Sequence, residues 1–533
     1  MKSEQECLRT MTLLRQLMPS SPQEVHRWAK VPAPIIVILG KEASVNPNGQ
    51  LTFFTVLNLL LRLHPIITEI YVIFERNSRL ITPIPLVNNT SLTEAVTHFS
   101  SIISTGVNLR ILPSLSCEPL VLIGIGKTGI RHPNMVSISS DGWFVHLVAK
   151  SDDREFSSNF NPIGAMATAC WAVSEIFKRV LEYKGTTLGI KSSELPRMNL
   201  LEDEIHFSLF SYEQIKLNAD NPTLPKTIDL GQVFTVGVGA GGGACLYCLV
   251  CLPELQGKVV LVDPDEVTLS NLNRYIYAIR KDAKEKVPKV HLIRKLFDQF
   301  PNLEIDAYKK TYLEFSKITK YDSFDLLIST VDNLETRQAI QWDLPRIIFD
   351  AGVAERGFYV KRVEMGLTAC HVCLQNNNKQ DPDRDLANFI GLPYEEVKTL
   401  RNNNGYFKDW HISQMQEVQC RLGFPLPSLG ERFTDWVSLH CGQMSFEGQA
   451  SLIVPIPFAA VLPGILIGGE ILKERIFPDR ALKGDVTYID HDLFSRPNHW
   501  IKFSPLPQKN CSACKDSFIL QKYRKKYYNS LMI

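Results

Sequence analysis

The sequence predicts an α/β protein in which two domains each build a doubly wound sheet. This prediction rests on the length of 533 residues, on a glycine-rich turn that follows an apolar run, and on alternating strand-like and helix-like segments. One hydrophobic core does not usually enclose a chain of this length. Alternating strands and helices are typical of a parallel sheet that helices cover on both faces.

The second half of the chain carries the clearest alternation. Its strand-like runs are Val233–Val238, Lys258–Val262 and Phe324–Thr330, and a long helix is expected near Val287–Gln299. Short apolar runs between turns are typical of buried parallel strands. Residues 230–533 are therefore expected to form one domain.

The first half repeats this layout. Its strand-like and helix-like runs are Pro34–Leu39, Leu51–Leu63, Glu69–Phe74, Pro119–Ile125 and Gly164–Leu181. We expect residues 1–190 to form a second domain and the polar, proline-punctuated residues 191–229 to be a linker. The shared layout suggests two diverged copies of one fold.

Composition narrows the classes of function. The chain is 45% hydrophobic and 21% charged, with a net charge of +2. This balance gives no electrostatic reason to expect nucleic acid or an anionic membrane as a partner. The twelve cysteines show no secreted disulfide pattern, and the N-terminus lacks the apolar run of a secretory signal. A cytoplasmic location is the expectation.

One segment, Leu452–Leu472, is apolar and nearly long enough to span a membrane. Pro455, Pro457 and Pro463 interrupt it, and Glu470 lies near its end. We interpret it as a buried strand followed by a core helix, and we expect no membrane span.

The glycine-rich turn has the features that nucleotide binding needs. Gly237 allows a tight turn, Gly239 lets a phosphate approach the backbone, and Gly242 permits close packing of the following helix. Asp263 ends the next strand, where a ribose-binding carboxylate is expected. These features alone do not distinguish ATP from NAD.

The residues beyond the turn favour ATP. Arg274 and Lys289 follow at an ordered spacing and suit the neutralisation of phosphates as pyrophosphate leaves. Asp332 ends a later strand and suits a Mg²⁺ ion. A hydride-transfer enzyme needs no such set of cations.

With these motifs, residues from about Val233 to Lys515 resemble the ThiF/MoeB/E1 superfamily. It contains ubiquitin-activating enzymes and activators of sulfur-carrier proteins. The resemblance implies a Rossmann-like adenylation fold that uses Mg·ATP, with Asp263 at the ribose, Arg274 and Lys289 at the phosphates, and Asp332 at the metal. The implied nucleotide-site residues are Gly237, Gly239, Gly241, Gly242, Asp263, Asp265, Asn271, Arg274, Lys289, Asp332 and Asn333.

The sequence departs from the family pattern at three places. Ala240 replaces one glycine, Ser329 replaces the aspartate three positions before Asp332, and Tyr275 replaces the glutamine that often follows the arginine. None of these changes removes a charge assigned to catalysis, so activity is expected to survive.

Two C-x-x-C pairs predict a structural zinc site. The thiolates of Cys370, Cys373, Cys511 and Cys514 can complete one tetrahedral Zn²⁺ site. Such a site would clip the C-terminal segment onto the domain without a catalytic role. The alternative is a set of free or redox cysteines.

The resemblance also implies a nucleophile, because E1-like relatives that go beyond adenylation transfer the acyl group to a cysteine. Cys441 precedes the closing apolar segment, where relatives place their reactive cysteine, and it is preferred over Cys420. The insertion at about 375–445 would bring this cysteine to the site. The basic, aromatic segment Tyr523–Tyr528 is interpreted as a solvated tail.

The first half is expected to be a degenerate, inactive adenylation domain. Gly40-Lys-Glu-Ala-Ser stands where a glycine-rich turn would be expected, and no later phosphate motif follows. The whole chain is then expected to activate the C-terminal carboxylate of a ubiquitin-like protein for an E2-like carrier, and a homodimer stays open. The alternatives are a sulfur-carrier activator or small-molecule adenylyltransferase without a thioester, a nucleotide-binding scaffold and a dehydrogenase.

Overall fold

The computed structural model describes most of the chain. The described residues are 10, 13–14, 25–28, 30–87, 90–103, 106–192, 195–196, 198–319, 321–353, 357–375, 383, 386–387, 390–422, 426–440 and 455–528.

The described strands form two sheets of eight strands each. The first sheet contains β1 (Ile35–Leu39), β2 (Glu69–Ile73), β3 (Asn108–Ile111), β4 (Val121–Ile125), β5 (Met135–Asp141), β6 (Phe144–Val148), β7 (Glu204–Ser208) and β8 (Glu213–Gln214). The second sheet contains β9 (Thr227–Val236), β10 (Glu254–Val262), β11 (Leu303–Tyr308), β12 (Leu326–Ser329), β13 (Ile347–Val353), β14 (Gly357–Val363), β15 (Tyr488–Asp492) and β16 (Ile501–Phe503).

Helices connect and cover these strands. They are α1 (Val25–Trp28), α2 (Pro47–Leu61), α3 (Leu92–Ile103), α4 (Pro162–Thr187), α5 (Ala240–Val250), α6 (Arg280–Lys284), α7 (Lys289–Leu296), α8 (Tyr312–Ile318), α9 (Leu334–Trp342), α10 (His371–Gln375), α11 (Tyr394–Asn402), α12 (Asp409–Leu422), α13 (Phe433–His440), α14 (Pro457–Ile476) and α15 (Ser517–Tyr527).

The two sheets have the same topology. The first has the order β3-β2-β1-β4-β5-β6-β7-β8, and the second has the order β11-β10-β9-β12-β13-β14-β15-β16. In each, the first five strands along this order pair in parallel and the last three are antiparallel. The prediction of two Rossmann-like α/β domains is confirmed.

The expected linker at 191–229 requires correction, because part of it belongs to the first sheet. Strand β7 pairs with β6, and its Ile205 and Phe207 are buried. The alternating polar residues of this strand resemble a loop in sequence, although every second side chain enters the core.

The two halves share one continuous hydrophobic core. Helix α14 packs against both α4 of the first half and α5 of the second. The hydroxyl of Tyr212 donates to Glu470 Oε1 on α14 at 2.7 Å, and Lys473 Nζ lies 2.7 Å from the same oxygen. Both charged side chains are fully buried, so α14 carries a paired charge at the junction of the halves.

The apolar segment that resembled a membrane span forms α14, which begins at Pro457 and accommodates Pro463 in its interior. The strand expected before this helix lies largely outside the described residues. Among the described residues, no helix combines the length and the apolar character that crossing a bilayer requires.

Candidate nucleotide site and cysteine cluster

The predicted nucleotide residues gather at the carboxyl ends of three neighbouring strands. Val236 at the end of β9 lies opposite Val262 of β10 on one side and Ser329 of β12 on the other. Gly237 and Asp263 each follow directly at the same edge of the sheet. Ligands of doubly wound sheets bind at this edge, outside the carboxyl ends of the strands.

The glycine turn is shaped by close contacts. Gly237 adopts a φ of +88°, which glycine reaches without strain. A Cβ on Gly242 would lie 2.1 Å from the Gly237 carbonyl oxygen, so this position excludes larger residues. A Cβ on Gly239 would meet only the Tyr275 hydroxyl at 3.7 Å, which leaves open space there. The space beside Gly239 fits an approaching phosphate.

Helix α5 begins directly after Gly239, and no side chain caps its first turn. The first N–H groups of a helix have no partner within the helix, and the helix dipole favours an anion beside them. An uncapped helix start after a glycine turn is therefore suited to phosphate binding.

Asp263 is fixed by its neighbours. Its Oδ2 accepts the N–H of Val238 at 2.6 Å, and its Oδ1 accepts the N–H of Asp265 at 2.9 Å. The carboxylate thus ties the glycine turn to the end of β10. Burial raises the pKa of Asp263, although Lys289 opposes this rise.

Lys289 joins the two acidic side chains. Its Nζ lies 2.7 Å from Asp265 Oδ2 and 3.5 Å from Asp263 Oδ1. Burial alone would lower the pKa of Lys289, but the two carboxylates raise it well above its usual range. The same ammonium lowers the pKa of Asp265. Lys289 is therefore held as a buried cation at the edge of the site.

The loop that carries Arg274 is also ordered from within. The side-chain oxygen of Asn271 accepts hydrogen bonds from the N–H and the hydroxyl of Thr268, so its amide serves the local turn. Arg274 donates from Nη1 to the Ser270 carbonyl at 3.0 Å. Its guanidinium carbon lies 5.2 Å from the ring centroid of Tyr275, a distance typical of cation–π contact.

Asp332 and Asn333 follow β12. Asp332 is exposed, and an exposed carboxylate at this edge fits a Mg²⁺ ligand. Asn333 caps helix α9 because its Oδ1 accepts the N–H of Thr336 at 2.7 Å. The Asn333 amide therefore stabilises the start of α9. Its prediction as a nucleotide-site residue did not reveal this structural role.

A buried charge cluster supports this loop. Arg337 donates to the Val331 carbonyl from Nε at 3.0 Å and from Nη2 at 2.7 Å, and its Nη1 lies 2.9 Å from Asp350 Oδ2. Burial alone would raise the pKa of Asp350, but Arg337, Lys361 and His371 lower it to about 2. Arg337 thus holds the backbone directly before Asp332.

Sequence reasoning missed this cluster, because its members lie on four separate elements. Ser329, which replaces the family's aspartate, pairs with Asp350 across β12 and β13. The sequence offered one local signal, the absence of an acid at position 329. In the structure the carboxylate of Asp350 lies at the neighbouring strand position.

The four predicted cysteines come together. Their sulfur atoms all lie within 4.8 Å of one another and all four residues are buried. Cys370 Sγ lies 3.8 Å from Cys373 Sγ and 3.6 Å from Cys511 Sγ, and Cys373 Sγ lies 3.3 Å from Cys514 Sγ. Four thiolates around a tetrahedral Zn²⁺ ion are separated by about 3.8 Å, given Zn–S bonds of about 2.3 Å. The cluster therefore fits a metal ion such as zinc.

The segment after the cluster is docked, which corrects the interpretation of a solvated tail. The Tyr523 hydroxyl donates to the Arg346 carbonyl at 2.6 Å, and the Tyr527 hydroxyl donates to the Leu344 carbonyl at 2.7 Å. Lys526 Nζ donates to the Asp343 carbonyl at 3.0 Å. Tyr523 and Tyr527 therefore face the domain, while most of the basic side chains of α15 are exposed to solvent.

Comparison with known families agrees with this geometry. A model of the ThiF family matches residues 212–473, which contain the glycine turn, Lys289 and Asp332. The matched residues, about half of the chain, place its second half in the ThiF/MoeB/E1 superfamily. Its ThiF domain supports an adenylating enzyme of the ThiF/E1 kind, and this family uses ATP.

Individual relatives extend the comparison. An uncharacterised protein, y4jF of Sinorhizobium fredii, is 25% identical over 93% of this chain and 92% of that protein. A ubiquitin-activating enzyme E1-like protein of Saccharomyces cerevisiae is 31% identical over 34% of this chain and 31% of that protein. Ubiquitin-like modifier-activating enzyme 5 of Xenopus laevis is 28% identical over 27% of this chain and 40% of that protein. The chain thus matches less than half of the length of these two ubiquitin-related relatives.

The first half matches a different family model, that of the BilD N-terminal domain, over residues 34–189. Its helix α2 occupies the place in the topology that α5 has in the ThiF domain. Asn46 caps α2 by accepting the N–H of Asn48 at 2.9 Å, and Pro47 removes a further donor. Asn46 Nδ2 also donates to the Ser157 carbonyl at 2.9 Å. The first turn of α2 is therefore covered by the chain itself.

The two candidate nucleophiles, Cys441 and Cys420, belong to the insertion at about 375–445. Cys441 lies outside the described residues. Cys420 belongs to α12, but its side chain is likewise outside the part of the chain that the structure describes. The insertion around them contains α11, α12 and α13. Phe407, between α11 and α12, packs against Phe433 and Trp436 of α13.

Proposed function

We propose that the chain uses Mg·ATP to adenylate the C-terminal carboxylate of a ubiquitin-like protein, and that it then holds the acyl group as a thioester on Cys441. The observation that carries the proposal is the meeting of buried Lys289, Asp263 and the uncapped start of α5 at the carboxyl ends of β9 and β10. A site of this kind favours the triphosphate of ATP, because the positive end of the α5 helix dipole and the fixed cation Lys289 face the same edge of the sheet.

The role proposed for each site residue follows from its charge. Lys289 and Arg274 would hold the phosphates and neutralise the charge that grows as pyrophosphate leaves. Asp263 would accept hydrogen bonds from the ribose, since a carboxylate has acceptor capacity beyond the two N–H groups it already binds. Asp332 would hold Mg²⁺, which when bound supplies charge stabilisation at the phosphate oxygens.

The adenylation step is a nucleotidyl transfer, in which substitution occurs at the α-phosphorus of ATP. A carboxylate oxygen of the ubiquitin-like protein attacks the α-phosphate of ATP, the bond to the β-phosphate breaks, and pyrophosphate leaves. The thiolate of Cys441 then attacks the acyl carbon, and AMP leaves with the electron pair of the broken C–O bond. An E2-like carrier would accept the acyl group by exchange of one thioester for another.

The insertion supports this second step. Lys289 is the main cause that lowers the pKa of Asp265, and Arg432 at the start of α13 adds to the effect. The helix that ends at His440, directly before Cys441, thus begins near the nucleotide site. We propose that this helix leads the cysteine toward the adenylate.

The first half is proposed to be the inactive counterpart. It has the topology of the ThiF domain, but Asn46, Pro47 and the segment at Ser157 cover the helix start where a phosphate would bind. Phe74 follows β2 where Asp263 follows β10, so no ribose-binding acid stands there. Because this half is fused to the ThiF domain, the pairing needs no second chain, although a homodimer of the whole protein stays open.

The decisive experiment combines Mg·ATP, candidate ubiquitin-like proteins and the full chain. A non-reducing gel and intact-mass spectrometry would follow wild type, Cys441→Ala and Cys420→Ala side by side. We expect an adduct that thiols release in wild type and Cys420→Ala but not in Cys441→Ala, with pyrophosphate formed in all three. An adduct that persists in Cys441→Ala would refute this nucleophile. AMP and pyrophosphate without any adduct would instead indicate a sulfur-carrier activator or small-molecule adenylyltransferase.

A further inference from the structure

A buried arginine of the first half reaches into the ThiF domain. Arg62, at the end of α2, donates from Nη1 to the Leu272 carbonyl at 2.5 Å and from Nη2 to the Ala278 carbonyl at 2.9 Å. The amide of Asn58 on the same helix donates to the Ile276 carbonyl at 2.9 Å. Asn58 Oδ1 accepts from Arg62 Nε at 2.7 Å, so the two side chains act as one unit.

The loop that they hold carries Arg274, one of the two proposed phosphate-binding cations, and contacts the other, Lys289. It begins directly before Asn273 and Arg274 and continues through Tyr275 and Tyr277, whose rings stack at 5.4 Å. The guanidinium of Arg274 and the Nζ of Lys289 lie 5.2 and 5.5 Å from the ring centroid of Tyr275. Tyr275 thus stands between both proposed phosphate-binding cations.

The same loop also shapes the glycine turn. The Tyr277 hydroxyl donates to the Val238 carbonyl at 2.5 Å. A Cβ on Gly243 would lie 2.0 Å from the Tyr277 ring, so the ring fills the space against the first turn of α5. A movement of residues 272–278 would therefore displace the turn as well as the cations.

The chemistry of Arg62 argues for a positioning task. Among the residues that the structure describes, no carboxylate lies within ion-pair distance of Arg62. Its guanidinium is buried and bonds to neutral carbonyl oxygens, and burial lowers its pKa to about 9. Burying an unpaired charge is costly, and an apolar side chain would occupy the space without this cost. The planar fork of arginine can bind several carbonyls of one loop at once, which an apolar residue cannot do.

We propose that Arg62 and Asn58 are positioning residues for adenylation, through which the inactive half holds the 272–278 loop in its ATP-binding geometry. This inference rests on the proposed function of the ThiF domain. It gives the first half an indirect part in ATP binding, through the loop that it holds.

The test compares Arg62→Met with Arg179→Met in the full chain. Arg179 is a matched control, because it also donates to a backbone carbonyl, that of Leu201 at 2.9 Å. Unlike the contact of Arg62, this contact lies wholly outside the ThiF domain. ATP affinity would be measured by calorimetry without an acyl acceptor, and folding by circular dichroism. We expect Arg62→Met to weaken ATP binding about tenfold or more, because it loses several charge-assisted hydrogen bonds, while Arg179→Met stays within about twofold of wild type.

A second pair of variants covers the case in which Arg62→Met does not fold. Asn58→Ala removes one bond to the loop, and we expect ATP binding about threefold to tenfold weaker in a folded protein. Arg62→Lys keeps the charge but loses the fork, and we expect an affinity between those of wild type and Arg62→Met.

The outcomes separate this inference from the proposed function. If wild type binds ATP and folded Asn58→Ala, Arg62→Lys and Arg62→Met bind it equally well, the positioning proposal is wrong and the proposed function stands. If wild type itself binds no ATP, the proposed function fails and the inference fails with it. Equal losses in Arg179→Met would also overturn the inference, because they would indicate a general effect on folding.

Discussion

At the scale of single residues, the nucleotide site depends on buried charges that neutralise one another. Lys289 is buried between Asp263 and Asp265, which keep it protonated. Removal of one partner from such a group leaves an uncompensated charge, which destabilises the fold more than the intact pair stabilised it. The same lysine is thus needed for the local structure and, as proposed, for the phosphates.

We predict that Lys289→Met lowers ATP-dependent pyrophosphate exchange about 100-fold or more, because a fixed cation is lost where charge develops. The free energy of unfolding, measured with urea, should fall by about 2 to 3 kcal/mol, since Asp263 remains buried without its cation. Lys309→Met is the matched control, because Lys309 pairs with Glu266 nearby but is well exposed. There the change in stability should stay within about 0.5 kcal/mol, and exchange should persist.

At the scale of elements, one contact positions the candidate nucleotide site and another holds the C-terminal segment. The first is the crossing of α14 over α5. A Cβ on Gly464 of α14 would lie 2.1 Å from the Gly241 carbonyl oxygen and 2.8 Å from the Cys245 backbone nitrogen. One turn later, a Cβ on Gly468 would meet Ile163 at 3.5 Å, an ordinary contact distance. Two glycines of one helix therefore differ sharply in their tolerance of a side chain.

We predict that Gly464→Ala destabilises the protein by about 1 to 3 kcal/mol and weakens ATP binding, since the added methyl group pushes Gly241 and the glycine turn away. Gly468→Ala should leave stability unchanged or raise it by up to about 1 kcal/mol, because alanine favours the helix. Thermal unfolding with and without ATP would measure both effects. Equal behaviour of the two variants would contradict the packing argument.

The second contact is the cysteine cluster, which joins the start of α10 to the segment directly before α15. We predict about one zinc ion per chain by elemental mass spectrometry of the wild type, and almost none in Cys511→Ser, because three thiolates no longer close the site. Limited proteolysis should then release α15. Cys117→Ser is the control, since Cys117 lies outside the cluster and should leave the zinc content intact. Full zinc occupancy in Cys511→Ser would refute the assignment.

At the scale of the whole molecule, two copies of one topology are fused around a common core, and His491 lies where they meet. The Trp171 indole N–H donates to His491 Nε2 at 3.1 Å, so His491 must carry its proton on Nδ1, which donates to the His499 carbonyl at 2.9 Å. Both ring nitrogens are thereby used in the neutral form. Burial lowers the pKa of His491 to about 4.

This arrangement predicts a loss of stability in acid. The pKa of His491 in the folded protein lies below the usual value of about 6.5 in the unfolded chain, so only the unfolded chain takes up the proton between these values. The stabilising effect is complete above pH 6.5 and declines as the pH falls toward 4. At pH 5 the contribution of His491 to the free energy of unfolding is therefore about 2 kcal/mol smaller than at neutral pH.

Urea unfolding at pH 7.5 and pH 5 would measure this loss. We expect His491→Gln to show a smaller difference between the two pH values, by about 2 kcal/mol, although it is less stable at pH 7.5 because the bond from Trp171 is weakened. Exposed His98→Gln should reproduce the wild-type difference. A His491→Gln variant with the full wild-type difference would exclude His491 as the source.

Much of the nucleotide site could be predicted because its signals are local in sequence. The glycine turn, Asp263 and the cysteine pairs each follow from a spacing of a few residues after a strand, and the fold brings them to the expected places. Arg62 and Arg337 could not be predicted in this way. Arg62 acts on a loop that is distant in sequence, and Arg337 pairs with Asp350 on another element, so no spacing reveals either contact.

The sequence by itself determined the α/β class, the repeated layout of the two halves, the edge of the sheet where the glycine turn lies and the grouping of the four cysteines, because periodicity, turn residues and ligand spacing are properties of short segments. Only the tertiary structure decided that residues 204–208 belong to the first sheet, that α15 is docked, and that the first half holds the loop at 272–278. These features depend on partners far apart in the chain. Their energies come from burial and hydrogen bonds that exist only once the two halves are packed together.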